Sequence, residues 1–287
     1  MPTPSQVNFA DLLHEAIHAS GSPACVGIDP VFDKLPAEVR ARHTEPLGAI
    51  REFCTGVLEA VRPHVGVVKL QSACFERYGG RGVMLLEEMC RDARQSGFVV
   101  VLDAKRGDIG ISAEHYAAAV VHAGAHAVTL SGYLGPSTIE PYLKAGLGAF
   151  VLVRTSNPDS DAVQGNRLKD GRTVAEMMAD HVATLGERSL GACGMSALGA
   201  VVGATKSADA RALRERMPRQ VFLVPGYGAQ GGTAEDIRAM RTKDGGGVLV
   251  TASRSILYEV YDAGSEWTSG VKQRAAELRA DLAQQLP

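Results

Sequence analysis

Eight short runs rich in β-branched and apolar residues recur along the chain, at 24–29, 66–71, 98–103, 126–132, 149–155, 199–205, 220–225 and 247–253. They are apolar on nearly every residue rather than on alternate ones. Each therefore predicts a strand buried on both faces, as in a parallel sheet. Between them lie stretches with helical spacing, among them Pro46 to Ala60, Gly82 to Ser96, Ser112 to Ala123 and Ala234 to Arg241. Eight β-α units in roughly 250 residues fit an α/β fold of the (β/α)8 TIM-barrel type, whose site lies at the C-terminal ends of the strands. A doubly wound open sheet is the competing topology. Polar or charged residues sit at or near most strand ends: Asp29, Lys69, Asp103, Ser131, Arg154 with Thr155, Thr205, and Ser253 with Arg254. A closed barrel gathers these on one rim, whereas an open sheet spreads them along an edge.

Of the 287 residues, 45% are hydrophobic and 22% charged, which is enough apolar material for a sizeable core. No linker or low-complexity segment divides the chain, so a single domain over 1–287 is expected. The net charge of -2 gives no general attraction for nucleic acid or an acidic membrane. Any anion bound here must be held by a local site, which favours a small ligand. Five scattered cysteines without a C-x-x-C argue against a disulfide framework or zinc ribbon, and suit a reducing cytoplasm. The first residues lack a basic and then apolar signal pattern, and no apolar run approaches roughly 18 residues, so no export or membrane insertion is expected.

The third run ends in LDAKRGDIG, Leu102 to Gly110, where an apolar strand gives way to Asp103, Lys105 and Asp108. Asp103 and Lys105 are two apart, so on extended backbone they point the same way. Two readings fit the spacing. One is a strand-end ion pair with Asp108 capping the next helix. The other is a catalytic cluster, because this fold places chemistry at the C-terminal ends of barrel strands. A lysine between two carboxylates should stay protonated, which suits a proton donor better than a Schiff-base nucleophile.

VPGYGAQGG, Val224 to Gly232, follows the seventh run. Its glycines allow close backbone approach to a ligand, and the N-terminus of the helix after it favours an anion. Arg254, at the end of the eighth run, supplies a guanidinium for the same phosphate. Lys69 lies among Val67, Val68 and Leu70, a costly position unless it is paired, and a barrel puts Asp103 on the next strand. Asp29 before Pro30 and Ser156-Asn157-Pro158 read equally as turn formers or site residues. The Asp- and Gly-rich segment 157–173 is expected to be a solvated loop, either decorative or a lid.

Taken together, D-A-K-R-G-D-I-G, G-I-D-P, V-K-L-Q, R-T-S-N-P and P-G-x-G-A-Q-G-G resemble the orotidine 5'-phosphate decarboxylase family, most closely its longer bacterial form. The matching motifs run from Asp29 to Arg254. The resemblance implies decarboxylation of orotidine 5'-phosphate to UMP, the last step of de novo pyrimidine synthesis, by a cytoplasmic enzyme without metal or organic cofactor. It implies that Asp29 and Lys69 bind ribose hydroxyls, that Lys69 also orients Asp103 as one of the catalytic residues, that Asp103 sits against the substrate carboxylate, and that Lys105 protonates C6. Asp108 would serve the other subunit of a homodimer with shared active sites. Ser156 would bond the pyrimidine. Gln230, Gly231 and Arg254 would hold the phosphate, with Pro225 opening that motif as a further substrate-binding residue. Ser112 keeps a hydroxyl where the family commonly has threonine and counts with the substrate-binding residues. No role is implied for 157–173 or 185–198.

Two alternatives differ in chemistry. A metal-dependent sugar-phosphate decarboxylase or aldolase of the same barrel would need a carboxylate in place of Lys69 to complete a Mg2+ site. A non-catalytic phosphate-binding barrel would have no need of Lys105 between two aspartates.

Overall fold

All eight apolar runs form strands: β1 Ala24–Ile28, β2 Val67–Gln71, β3 Val99–Arg106, β4 Ala127–Leu130, β5 Gly148–Arg154, β6 Ser196–Val202, β7 Gln220–Pro225 and β8 Val248–Ala252. The computed structural model describes residues 7–228, 231–258 and 266–285. Each strand pairs in parallel with its sequence neighbours, and β1 also pairs with β8, so the sheet closes into a barrel. The open-sheet alternative is thereby excluded.

Nearly continuous apolarity follows from this closure, because one strand face fills the barrel and the other meets the helices. Cys25, Val67, Val99, Ala127, Phe150, Val221 and Leu249 belong to the interior cluster. Their neighbours Val26, Val68, Val100, Val128, Val151, Phe222 and Val250 pack against the helical layer. Gly199 shows how tightly the interior is filled, since a Cβ there would lie 2.8 Å from the Phe150 ring. The N-terminal helix Phe9–Ser20 stoppers the barrel at the N-terminal ends of the strands, with Phe9 edge-on to Phe150 at 5.9 Å. Its Asp11 accepts the backbone N–H groups of Ala192 and Cys193. Part of the unassigned segment 185–198 thus closes the barrel base, away from the strand ends that carry the charged residues.

On the outside, Phe53 from the helix Pro46–Val61 stacks at 5.1 Å on Trp267, which opens the C-terminal helix Trp267–Gln285. Among the described residues, no helix is long and apolar enough to cross a membrane.

Candidate active site

The inward faces of β1, β2, β3 and β8 are apolar at their lower levels and polar at their C-terminal ends, where a cavity of about 580 Å³ opens. Asp29, Lys69, Asp103, Lys105, Ser156, Pro225 and Arg254 all line it. At its floor, register pairs Gln71 with Asp103 across β2 and β3, placing Lys69 one inward step below. Lys69 Nζ donates to Asp103 Oδ2 at 2.7 Å and lies 3.6 Å from Asp29 Oδ1. The lysine is therefore not a chance strand charge; it joins two carboxylates on adjacent strands. Burial works against its charge, but Asp29 and Asp103 outweigh that and hold it above the usual lysine range. Burial likewise pushes Asp103 up, yet the ammonium groups of Lys69 and Lys105 prevail and hold its carboxyl at about 2.

Lys105 Nζ donates to Asp103 Oδ1 at 2.5 Å. The alternation expected for residues two apart is not what brings them together. Three residues of β3 lie between Leu102 and Arg106 while one of β4 lies between their partners Val128 and Leu130, so the strand bulges over Asp103 to Lys105. Within the bulge Lys105 adopts φ 45°, the one non-glycine residue with positive φ among the described residues. Strain of about 1–3 kcal/mol is typical of such a position and persists only where neighbours enforce it. Thr129 does so here, its hydroxyl accepting the Lys105 N–H at 3.0 Å and donating to Asp103 Oδ1 at 2.8 Å. Arg106, next in the motif, pairs with Glu76 and lies 5.4 Å over the Tyr116 ring, fixing the turn that follows.

The wall carrying Ser156 is built by the segment expected to be a solvated loop. Residues Pro158–Ser160 form a 3-10 turn and Asp161–Gln164 a helical turn. Arg154, buried at the end of β5, bonds Asp209 at 2.6 Å, Asp161 at 2.5 Å and Ser160 at 3.3 Å. Lys206 holds Asp161 from the other side at 2.8 Å. Arg154 is thus turned away from the cavity and anchors this wall. Gln164 bonds both the N–H and the hydroxyl of Thr155, and Gly203 leaves room for Ser156, which a Cβ there would approach to 2.8 Å.

At the opposite wall the Gly-rich loop differs from expectation in two ways. The amides of Gly228, Gly231 and Gly232 are spent on the carbonyls of Gly232, Gly228 and Gly226. The loop folds on itself, and Pro225, Gly226 and Tyr227 are what face the cavity. The helix Ala234–Met240 opens with a capping box between Thr233 and Asp236, and Glu235 and Asp236 make its first turn acidic, which opposes an anion at this end. Arg254 remains at the cavity, opening the short turn Arg254–Leu257 after β8, where barrels commonly bind phosphate. Tyr227 anchors the loop from behind through Asp281 of the C-terminal helix. Gln230 lies outside the described residues.

Asp108 and Ser112 do not line the cavity of their own chain. The helix begins at Gly110, ahead of the expected Ser112, and its N-cap is Ile109 without a side-chain cap, so Asp108 is not a helix cap. Its Oδ1 accepts the adjacent Ile109 N–H. Ile109 and Ile111 beside it are 58% and 70% exposed, and Tyr133 and Leu134 after β4 are 81% and 54% exposed.

Sequence reasoning passed over Gln71 and Thr129. Gln71 shares the inward face with Lys69 by two-residue alternation, and Thr129 is a polar residue inside an apolar strand, the signal already used for Lys69. Tyr258, which donates to Asp29 O at 2.7 Å and accepts from Val31 N–H at 2.8 Å, carried no local signal. Among the described residues no group of three or more His, Cys, Asp or Glu side chains is arranged to hold a metal ion. The position between Asp29 and Asp103 that a divalent ion would need is filled by the Lys69 ammonium.

Residues 24–266 match the orotidine 5'-phosphate decarboxylase / HUMPS family. The chain is 36% identical to orotidine 5'-phosphate decarboxylase of Rhodopirellula baltica, an alignment covering 96% of this chain and 99% of that one. It is 38% identical to the enzyme of the same name from Myxococcus xanthus, over 89% of this chain and 88% of the other. Among solved structures, OMP decarboxylase of Leishmania donovani superposes with a TM-score of 0.79 at 31% identity, covering 97% of this chain and 98% of that one.

Proposed function

The chain belongs to the orotidine 5'-phosphate decarboxylase family, and from that premise we propose how it converts orotidine 5'-phosphate to UMP and CO2. Lys105 delivers a proton to C6 of the pyrimidine as the carboxylate departs. The observation that carries this is the Lys69, Asp103, Lys105 chain at the floor of a cavity whose far wall holds Arg254.

The carbon–carbon bond to the carboxylate breaks and its electron pair stays on C6. An ammonium held beside that carbon stabilises the growing negative charge more than the ground state. The proton passes from Lys105 to C6, CO2 leaves, and solvent returns a proton to the amine. Asp103 faces the substrate carboxylate, and its low pKa keeps it charged as it orients the ammonium. Asp29 Oδ1 is buried without a hydrogen-bond donor among the described residues, a vacancy that suits a ribose hydroxyl held with Lys69. Ser156 bonds the pyrimidine. Arg254, with the Pro225 to Gly231 loop, takes the phosphate. On binding, the Gly231 amide exchanges Gly228 for a phosphate oxygen, and the family resemblance assigns Gln230 to the same phosphate. Remote phosphate contacts then supply binding energy for ordering the reacting end.

Asp108 serves a second copy of this chain, in a homodimer with shared sites. Its position outside its own cavity supports this, as do the exposed apolar side chains of Ile109 and Ile111 next to it and of Tyr133 and Leu134 after β4. Ser112, in the first turn of the helix that follows, reaches the same partner site. One barrel under one helical layer supports a single domain, and five free cysteines suit the cytoplasm.

The test is turnover of orotidine 5'-phosphate by purified protein in EDTA, followed by loss of orotate absorbance. UMP formation is expected; no turnover at micromolar enzyme contradicts the assignment, and turnover restored only by Mg2+ favours the metal-dependent relative. Mixing inactive Lys105→Ala and Asp108→Ala subunits should recover activity, since each mixed dimer carries one intact site. No recovery despite verified subunit exchange contradicts shared sites.

A further inference from the structure

In a parallel ladder the strand N–H groups are met by carbonyls of the neighbouring strand, and the bulge in β3 removes that match at Lys105. The Lys105 N–H turns instead to the Thr129 hydroxyl at 3.0 Å. A hydroxyl has one hydrogen. With its oxygen accepting from Lys105, that hydrogen is directed to Asp103 Oδ1 at 2.8 Å. The same carboxylate oxygen accepts the Lys105 ammonium at 2.5 Å, and the other oxygen is occupied by Lys69 at 2.7 Å and Gln71 at 3.4 Å. Lys105 N–H, Thr129 O–H, Asp103 Oδ1 and Lys105 Nζ are therefore linked in a ring that closes through the Lys105 side chain, with Thr129 only 1% exposed.

We infer that Thr129 is a positioning residue for proton delivery: through one hydroxyl it holds the left-handed backbone of Lys105 and the carboxylate oxygen that aims its ammonium. Fixing both ends of the lysine leaves its side chain few ways to reach anything but the reacting carbon. Threonine suits the task because its methyl packs in the strand while its hydroxyl accepts and donates at once. Valine has nearly the same shape and lacks both bonds. The inference rests on Lys105 being the proton donor.

The experiment compares Thr129→Val, Thr129→Ser and Lys105→Ala with the wild type in steady-state turnover of orotidine 5'-phosphate across pH. Thr129→Val should lower kcat about 10- to 100-fold, the loss expected for hydrogen bonds to a charged group. KM should stay within about twofold, because the phosphate and ribose contacts are untouched. The acid limb of kcat/KM should move to higher pH, since Asp103 loses a donor to its charged form. Thr129→Ser, which keeps the hydroxyl, should restore kcat to within about threefold of wild type. A role in packing alone would not move the acid limb. Wild-type kcat and an unmoved acid limb in Thr129→Val overturn the inference, as does a Thr129→Ser variant as slow as Thr129→Val. Should Thr129→Val fail to fold, Thr129→Ala carries the same comparison. Near-wild-type turnover by Lys105→Ala would overturn the proton-donor reading itself, and with it this inference. An inactive Lys105→Ala beside a fully active Thr129→Val sinks the inference alone.

Discussion

Replacing Lys69 by methionine removes the cation between Asp29 and Asp103 while keeping most of the side-chain volume. The direct attraction across 2.7 Å amounts to about 6 kcal/mol at an effective dielectric of about 20. The net loss should be smaller, because Lys105 still faces Asp103 and the open cavity admits water to the exposed site. Breaking a buried pair by removing one partner costs about 3–5 kcal/mol, so about 3 kcal/mol is expected here. That corresponds to a fall in Tm on the order of 6–10 °C for a domain of this size. The assay is thermal unfolding at pH 7 of wild type, Lys69→Met, Asp103→Asn and the double variant. Because Lys69→Met strands a buried carboxylate, the double variant should be destabilised by less than the sum of the two single ones. A coupling of about 2–3 kcal/mol is expected. Strictly additive single variants, or a Lys69→Met loss below about 0.5 kcal/mol, would refute the idea that Lys69 neutralises Asp103.

Other outcomes follow from the same geometry. Asp103 is held at about 2, below its ordinary value, so its contribution to stability is present above about pH 4 and is lost as pH falls through about 2. The difference in unfolding free energy between wild type and Asp103→Asn should shrink by about 2 kcal/mol over that window, measured by denaturant titration. Lys69 is shifted upward, so its contribution persists below the usual lysine range and does not enter the acid limb. Arg154→Met should release the wall that carries Ser156, raising KM about tenfold with a smaller change in kcat and speeding limited proteolysis within 155–173. Unchanged KM and proteolysis would show that Asp161 and Lys206 hold the wall without it.

Much of this was legible in the chain. Continuous apolarity in eight runs implies strands buried on both faces, which a barrel and a doubly wound sheet share, and the pairing of β1 with β8 decides for the barrel. Lys69 among valines announced a paired charge, because an unpaired one there is too costly. Local patterns carried less about how the ends of those strands depart from regularity. The bulge that gives Lys105 φ 45° depends on β4 supplying Thr129, a contact 24 residues away in the chain. Arg154 looked like a rim residue by position, yet Asp161 and Asp209 turn it into the wall, which depends on where two later helices pack. The glycines after β7 were read as a backbone cradle for a ligand, but a Gly-rich loop can also satisfy its own amides, as Gly228, Gly231 and Gly232 do. Asp108 was separated from the Asp103 pair only by the family resemblance. Its position outside the cavity supports that separation.

The central claim is that the Lys105 ammonium protonates the carbon from which CO2 departs. Its most direct test is Lys105→Ala mixed with orotidine 5'-phosphate, with UMP quantified by chromatography and binding followed by calorimetry. The account predicts a folded protein that still binds the nucleotide through Arg254 and Asp29 and forms no UMP above the uncatalysed rate. UMP formation within about tenfold of the wild-type rate would contradict it.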